Sequence, residues 1–367
     1  MGGSIAKGRG AALNIGQIEH EIENIIYLHW QITQDWRRNL KEIPTESGHR
    51  QSKTLTKMRI KYSVCLFIAM IVSSLVFGAN SLNAQEKPSI IIQDLSLLKD
   101  SDGKIVEQKM VELKSRWLDK VECYKIKYLS DRLKVVGFLL KPMVGGVKFP
   151  VIIYNRGGNL EFGKISDRDL GNLCYLAAHN YVVLASQYRG NDGGQGREEF
   201  GGRDVNDVLN LIPLARSLPF TDPDKIAMLG YSRGGMMTYL AIKRGAEIKA
   251  AAVVGGITDL EQTYVEREPA MKNVIKELVG MKESEWRERS AYYWPEKINV
   301  PLLILHGEED WRVKVSQAKK LSEKLKELSR EHELVIFPKG DHGLDTHRKE
   351  RDKKIFQWFA KYLHAVQ

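Results

Sequence analysis

The chain has 367 residues and a formal net charge of +10, with basic residues scattered among acids, as in 319–326. That interleaving is typical of a solvated helix face and argues against nucleic acid as a partner. Three cysteines and nine histidines form no closely spaced set, so no metal site is indicated. The glycine pairs near 193 and 201 lack a following lysine in P-loop spacing, and we expect no cofactor.

The first element in chain order is an export signal. Met58 opens a basic stretch ahead of the largely apolar run 62–78, and small residues follow as far as Ala84. Residues 58–84 are therefore predicted to be a signal peptide, with 1–57 disordered or not translated. Cleavage after Ala84 removes ten basic and six acidic residues, leaving 283 residues with a net charge of +6.

An uncleaved anchor is the alternative, because seventeen residues reach the lower limit for a membrane span. Either way, the rest of the chain is predicted to be periplasmic or extracellular, and only the anchored form would have the membrane as a partner. The sequence leaves the oligomeric state open.

A short β-rich lead-in is predicted over 85–145, since 121–128 and 134–141 alternate in polarity around a turn at Ser130-Asp131. Cys123 lies in this lead-in and Cys174 in a later helical stretch. A single disulfide and two buried free thiols are both compatible with the sequence.

Residues 146–367 alternate strand-like and helical runs, which predicts a mostly parallel sheet with helices on both faces. A longer insertion at about 257–296 is helical in pattern over 261–288 and predicts a small cap above the edge of the sheet. Its candidate substrate contacts, which could equally be packing residues of the cap, are Tyr264, Met271, Tyr292, Tyr293 and Trp294.

Ser232 is the candidate nucleophile. An apolar strand from Lys225 runs into Gly230-Tyr-Ser-Arg-Gly234 and then into a helical stretch. This context predicts a nucleophile elbow, in which glycines two residues before and after the serine let the tight turn close.

A serine hydroxyl needs a base, and the base needs a carboxylate to orient it. The strand 300–305 leads into a loop containing Asp310, the candidate acid, and the strand 333–338 leads into a loop containing His342, the candidate base. His306 is a competing base, although its position before the acid favours a role within the acid loop. The alternative acids are Glu308, Glu309, Asp259 and Asp341.

Several blocks occur together in one order: 187–194, 204–208, 230–235, 294–298 and 306–313. With these blocks the chain resembles the prolyl-oligopeptidase family over about 131–365. The resemblance implies an α/β-hydrolase catalytic domain and a serine-type peptidase acting on short peptides, with Ser232, Asp310 and His342 as the catalytic residues. Larger members carry a β-propeller ahead of this domain, for which the lead-in has no room and no repeat.

The missing propeller keeps a carboxylesterase acting on small esters or acylated sugars as the alternative. A catalytically silent fold used for binding is a third hypothesis, against which the intact triad argues.

The oxyanion hole needs two donors. One is the backbone N–H of Arg233, directly after the nucleophile, and the second is expected from the loop 155–159. Arg156 in this loop stands where similar relatives have histidine or tyrosine. It could donate from its backbone or guanidinium, bind a substrate carboxylate, or be ion-paired. Arg189, Asp204 and Asp207 are interpreted as structural, with Asp204 capping a helix or pairing with Arg189.

Overall fold

The computed structural model describes residues 101–112, 116–117 and 119–363. The predicted signal peptide at 58–84 and the upstream segment 1–57 lie outside these residues. Across the described ranges, no helix combines the length and the apolar character that crossing a bilayer requires.

One nine-stranded sheet organises the described residues, in the order β1-β2-β3-β5-β4-β6-β7-β8-β9. The strands from β4 to β9 run parallel to one another, and β1 to β3 form an antiparallel edge. Their bounds are β1 Ile105–Met110, β2 Val121–Ser130, β3 Leu133–Pro142, β4 Phe149–Asn155, β5 Val182–Ser186, β6 Thr221–Tyr231, β7 Ala250–Val254, β8 Leu302–Gly307 and β9 His332–Phe337.

The helices cover both faces of the sheet, as the sequence predicted. Parallel strands buried on both faces read as continuous apolar runs, and β5 and β7 are buried at every residue. The helices are α1 Asp167–Ala177, α2 Val205–Leu209, α3 Leu211–Ser217, α4 Arg233–Lys243, α5 Leu260–Glu266, α6 Pro269–Leu278, α7 Glu283–Glu288, α8 Val315–Glu327 and α9 Arg348–Leu363. Apolar residues of α1 and α9 pack on one face, and those of α2, α3, α4 and α8 on the other.

The hairpin predicted in the lead-in is formed by β2 and β3, which turn through positive φ at Asp131 and Arg132. Because β3 pairs with β5, the described part of the lead-in is the antiparallel edge of the main sheet. It shares the hydrophobic core of the catalytic fold, with Tyr128 and Val135 fully buried there.

The cap insertion is helical in the region predicted, 261–288, but it is not one continuous helix. It forms three short helices, because Pro269 starts α6 and Gly280, at φ +88°, separates α6 from α7. Asp259 caps α5 by accepting a 3.0 Å hydrogen bond from the Gln262 N–H. Trp286 of α7 packs on Tyr264 of α5 with ring centroids 4.9 Å apart, which holds the helices together.

Candidate active site

Ser232 lies at the turn between β6 and α4. Its φ of +55° and ψ of −120° fall in a strained region for a residue with a Cβ. The conformation is held by hydrogen bonds from Ser232 N–H to Val254 O and from Gly235 N–H to Ser232 O, each of 2.9 Å. A Cβ on Gly230 would come within 2.5 Å of Thr238 Oγ1, so a larger residue does not fit there. The strand, turn and helix expected for a nucleophile elbow are therefore present.

Asp310 and His342 are brought together from the loops after β8 and β9. His342 Nδ1 lies 2.8 Å from Asp310 Oδ2, while Asp310 Oδ1 accepts the N–H groups of Arg312 at 2.9 Å and Val313 at 3.0 Å. Burial alone would raise the pKa of Asp310, but hydrogen bonds from His306 and His342 outweigh it and hold that pKa well below its ordinary value. The carboxylate is therefore ionised at neutral pH and can orient the imidazole.

The end of β7 links this pair to the nucleophile. Val254 O accepts the Ser232 N–H, and the next residue, Gly255, sits against both members of the pair. A Cβ on Gly255 would lie 3.2 Å from both Asp310 Oδ2 and His342 Nδ1, and its φ of +55° also favours glycine. Among the described residues, Ser232 Oγ forms no hydrogen bond with His342. Such bonds often tighten only when substrate is bound.

His306 lies within the acid loop, where the sequence placed it. It is fully buried, and its Nε2 is 2.8 Å from Val313 O and 3.2 Å from Asp310 Oδ2. A proton on Nε2 serves both acceptors, whereas Nδ1 has no partner in the described part of the protein. His306 therefore contacts the carboxylate on the same oxygen as His342.

The alternative acids have other roles in the structure. Glu308 accepts the N–H of Lys339, Asp341 accepts the N–H of Asp345, and Glu309 is exposed. Asp259 is the cap of α5. The carboxylate that meets His342 is that of Asp310.

The backbones of Arg233 and Gly157 lie beside Ser232. Arg233 is the first residue of α4, so its N–H has no acceptor within the helix. Gly157 is so close that a Cβ there would lie 3.2 Å from Ser232 Cβ and 3.9 Å from Oγ. Tyr188 Oη donates a 3.0 Å hydrogen bond to Arg156 O, and in a trans peptide the Gly157 N–H points the opposite way. Sequence reasoning reached this loop but not Gly157.

The Arg156 side chain requires a correction. It is 1% exposed, and its guanidinium donates to Gln187 O at 2.9 Å, Gly157 O at 3.0 Å and Leu160 O at 3.0 Å. These carbonyl groups occupy the donors that an oxyanion or a substrate carboxylate would need. The guanidinium therefore shapes the loop from inside, in line with the structural role that the sequence left open.

Asp204 takes neither of its two expected roles, because its side chain makes no capping hydrogen bond to α2 and does not pair with Arg189. Asp204 instead pairs with Arg233 at 2.6 Å, while Arg189 pairs with Asp207 and Asp131, each at 2.8 Å. Asp204 directly precedes α2 and Asp207 lies in its first turn, but their carboxylates bind different arginines. Asp204 thus acts on the nucleophile elbow.

The loop that follows β4, residues 156–163, is called the oxyanion loop below. Of the five candidate contacts in the cap, Met271 reaches this loop, with its Sδ 3.9 Å from Asn159 Nδ2. Trp294 is buried and donates to Arg287 O at 3.1 Å, and Tyr264 packs within the cap. Two exposed aromatic side chains that the sequence did not single out are Phe162, 63% exposed on the oxyanion loop, and Trp311, 56% exposed beside Asp310. Both follow closely in the sequence after a segment proposed to be catalytic, and that position is the signal that could have identified them.

A cavity of about 520 Å³ lies between α1 and α9, on the face of the sheet away from the cap. Tyr231 and Gly343, which are the chain neighbours of Ser232 and His342, line it together with Tyr154, whereas Ser232 and His342 do not. The cavity therefore lies beside the candidate active site and does not contain it.

Comparison with known proteins relates the chain to peptidases. Residues 168–365, just over half of the chain, match the prolyl oligopeptidase family. The chain is 32% identical to the uncharacterized peptidase YtmA of Bacillus subtilis, over 65% of this chain and 93% of YtmA. It is 30% identical to acylamino-acid-releasing enzyme 1 of Oryza sativa subsp. japonica, over 52% of this chain and 28% of that enzyme.

The solved structure of Pyrococcus horikoshii acylaminoacyl peptidase superposes with a TM-score of 0.60 at 27% identity, covering 68% of this chain and 43% of that one. The chain therefore spans most of YtmA but less than half of either acylaminoacyl relative.

Proposed function

The chain belongs to the prolyl oligopeptidase family, and on that premise we propose that it is an exported serine peptidase that cleaves short peptides. It is a serine hydrolase with the α/β-hydrolase fold. The observation that carries the proposal is the 2.8 Å hydrogen bond between His342 and Asp310, next to the strand end that binds the Ser232 backbone.

The proposed mechanism uses these groups in order. His342 Nε2 takes the proton of Ser232 Oγ, which attacks the carbonyl carbon of the scissile amide. The N–H groups of Arg233 and Gly157 stabilise the oxyanion. His342 then protonates the departing amine, and water hydrolyses the acyl-enzyme by the same sequence of proton transfers. Asp310 keeps the imidazole oriented and stabilises its protonated form.

Two relatives are named for acylaminoacyl substrates, which makes short N-acylated peptides the first substrates to test. Phe162 and Trp311 support an apolar contact to such substrates, because both side chains are exposed on loops that carry proposed catalytic groups. The basic and apolar segment before Ala84 supports export.

The test expresses the chain with its natural leader and purifies the mature protein. We expect its N-terminus to be Gln85, and we expect turnover of N-acetylalanine and proline p-nitroanilides. Ser232→Ala should lower kcat by at least about 10⁴-fold, because the nucleophile is removed.

Each alternative gives a different result. Turnover of matched p-nitrophenyl esters without the anilides would identify a carboxylesterase. Undiminished activity in Ser232→Ala would refute the triad. A purified protein that retains the leader would refute cleavage after Ala84 and support an uncleaved membrane anchor. No turnover of either substrate class, together with no labelling of Ser232 by a fluorophosphonate, would point to a binding role.

A further inference from the structure

A buried group of charged residues lies under the loop and turn that form the proposed oxyanion hole. We call it the arginine cluster: Arg156, Tyr188, Glu198, Asp204 and Arg233. None of these side chains is more than 2% exposed. Its two guanidinium groups and two carboxylates balance in formal charge. Buried ion pairs often add little to the stability of a fold. The role of this cluster is therefore sought in the two segments that it contacts.

On one side the cluster anchors the nucleophile elbow. Arg233 follows Ser232, and its Nη1 lies 2.7 Å from Glu198 Oε1 while its Nη2 lies 2.6 Å from Asp204 Oδ2. Charge-assisted contacts from two carboxylates to different nitrogens fix the position and direction of the guanidinium. The residue whose backbone N–H faces the oxyanion is therefore held by its own side chain.

On the other side the cluster holds the oxyanion loop. Glu198 Oε1, which binds Arg233, also accepts the Leu160 N–H at 2.9 Å. Glu198 Oε2 lies 3.7 Å from Arg156 Nη2, and that guanidinium in turn binds the carbonyl groups of Gly157 and Leu160. Glu198 thus connects both halves of the proposed oxyanion hole through one carboxylate.

Tyr188 fills the space between the two arginines. The guanidinium carbons of Arg156 and Arg233 lie 5.0 Å and 4.6 Å from its ring centroid. Its hydroxyl fixes the peptide whose N–H is that of Gly157. Tyr188 has a φ of +63°, a strained conformation for a bulky residue, which persists only where the surroundings enforce it.

We propose that Glu198 is a positioning residue of the oxyanion hole, which sets the Arg233 and Gly157 N–H groups relative to each other through Arg233, Leu160 and the Arg156–Tyr188 pair. The inference rests on the proposed function, because it assumes that these N–H groups stabilise an oxyanion. Such donors act chiefly in the transition state, so loosening them lowers kcat more than it changes KM.

The test compares Glu198→Gln and Tyr188→Phe with a matched control, Asp207→Asn. Glu198→Gln keeps the shape but leaves the two arginines undercompensated, and Tyr188→Phe removes only the hydroxyl that holds Arg156 O. Asp207 is also fully buried and ion-paired, but its carboxylate bonds to Ser130 and to the side chain and backbone N–H of Arg189, which are not members of the arginine cluster. Burial raises the pKa of Asp207 to about 6, so the assay is run at pH 8, where it is ionised.

The substrate is p-nitrophenyl acetate, which needs the hydrolytic groups but no peptide specificity. Complete titration of Ser232 with a fluorophosphonate gives kcat per active site and corrects for any misfolded fraction. We expect kcat to fall about 10- to 100-fold in Glu198→Gln and about tenfold in Tyr188→Phe, while KM stays within about threefold of wild type. These losses are smaller than the roughly 10²- to 10³-fold fall in kcat that removal of an oxyanion donor causes, because the donors are displaced and not removed.

A trifluoromethyl ketone forms a hemiketal oxyanion on a serine nucleophile. Its affinity should fall in parallel with kcat in Glu198→Gln and Tyr188→Phe, and both its affinity and kcat should be unchanged in Asp207→Asn. Values of kcat per site within twofold of wild type in both variants would overturn the inference, as would an equal loss in Asp207→Asn. A wild-type protein whose Ser232 reacts with neither the ester nor the fluorophosphonate would instead refute the proposed function, and this inference with it.

Discussion

Gly234 is the position at which the first turn of α4 meets the end of β4. A Cβ at Gly234 would lie 2.5 Å from the Asn155 carbonyl carbon and 2.7 Å from Arg156 O, and closer still to Asn155 O. All of these atoms are backbone, so no side chain can rotate away. Gly234→Ala therefore forces α4 and β4 apart, at the site where the nucleophile and the oxyanion loop face each other.

The magnitude follows from the geometry. Ordinary contact begins near 3.4 Å, so the 2.5 Å approach alone requires a separation of about 0.9 Å, and the closer approach to Asn155 O requires more. Overpacking of this kind costs about 1–3 kcal/mol, or roughly 2–12 °C in Tm for a domain of this size. A misplacement of about 1 Å at the reacting groups costs about 10²-fold in rate, so we expect kcat per active site to fall by that factor.

Gly171→Ala is the matched control, because Gly171 lies within α1 and its Cβ would meet nothing within 4 Å. Alanine favours a helix over glycine by about 0.5–1 kcal/mol, so Tm should rise by about 1–4 °C with kcat unchanged. Thermal unfolding and ester turnover per titrated Ser232 measure both variants. Wild-type Tm and kcat in Gly234→Ala would refute the reasoning.

His306→Leu removes a hydrogen bond to Asp310, so we expect kcat/KM for p-nitrophenyl acetate to fall about tenfold. His306→Gln should restore much of that loss. Equal kcat/KM in the wild type and both variants would contradict a role of His306 at Asp310. Burial raises the pKa of Cys123 to about 12 and of Cys174 to about 11. Both thiols therefore stay protonated at pH 8, and iodoacetamide should modify them only in guanidinium chloride. Rapid native alkylation, or a disulfide-linked peptide on mass spectrometry, would count against buried free thiols.

The sheet and its order of functional loops could be read from the sequence because their signals are local. Apolar runs such as 250–254 are buried on both faces and carry no competing periodicity, which is typical of central parallel strands. The elbow was readable for the same reason, since strand, small residues and helix are contiguous. Asp310 and His342 could be proposed as acid and base because each lies in the loop after such a strand.

The missed features depend on contacts between distant segments. Glu198 lies in a glycine-rich stretch with no periodicity, and nothing near it indicates that its partners are Arg233 and Leu160. The partner of Asp204 was also missed, since the sequence offered a helix cap or Arg189 and does not show which carboxylate of Asp204 and Asp207 faces which arginine. The helical pattern predicted over 261–288 did not mark the breaks before Pro269 and at Gly280, which divide the cap into α5, α6 and α7.

The need for glycine at position 234 and the need for buried carboxylates near Arg156 and Arg233 both follow from the close approach of β4 and α4. Because Gly234 lets the end of β4 approach the first turn of α4, the residues Arg156 and Arg233 lie on backbones in close contact. Burial and then the charge of Arg233 lower the pKa of Arg156, so the approach is unfavourable unless negative charge compensates it. Glu198 and Asp204 supply that charge from the segment between β5 and α2. Arginine directly after the nucleophile therefore requires buried acids in that segment, and replacement of either acid should disturb the elbow before it disturbs the sheet.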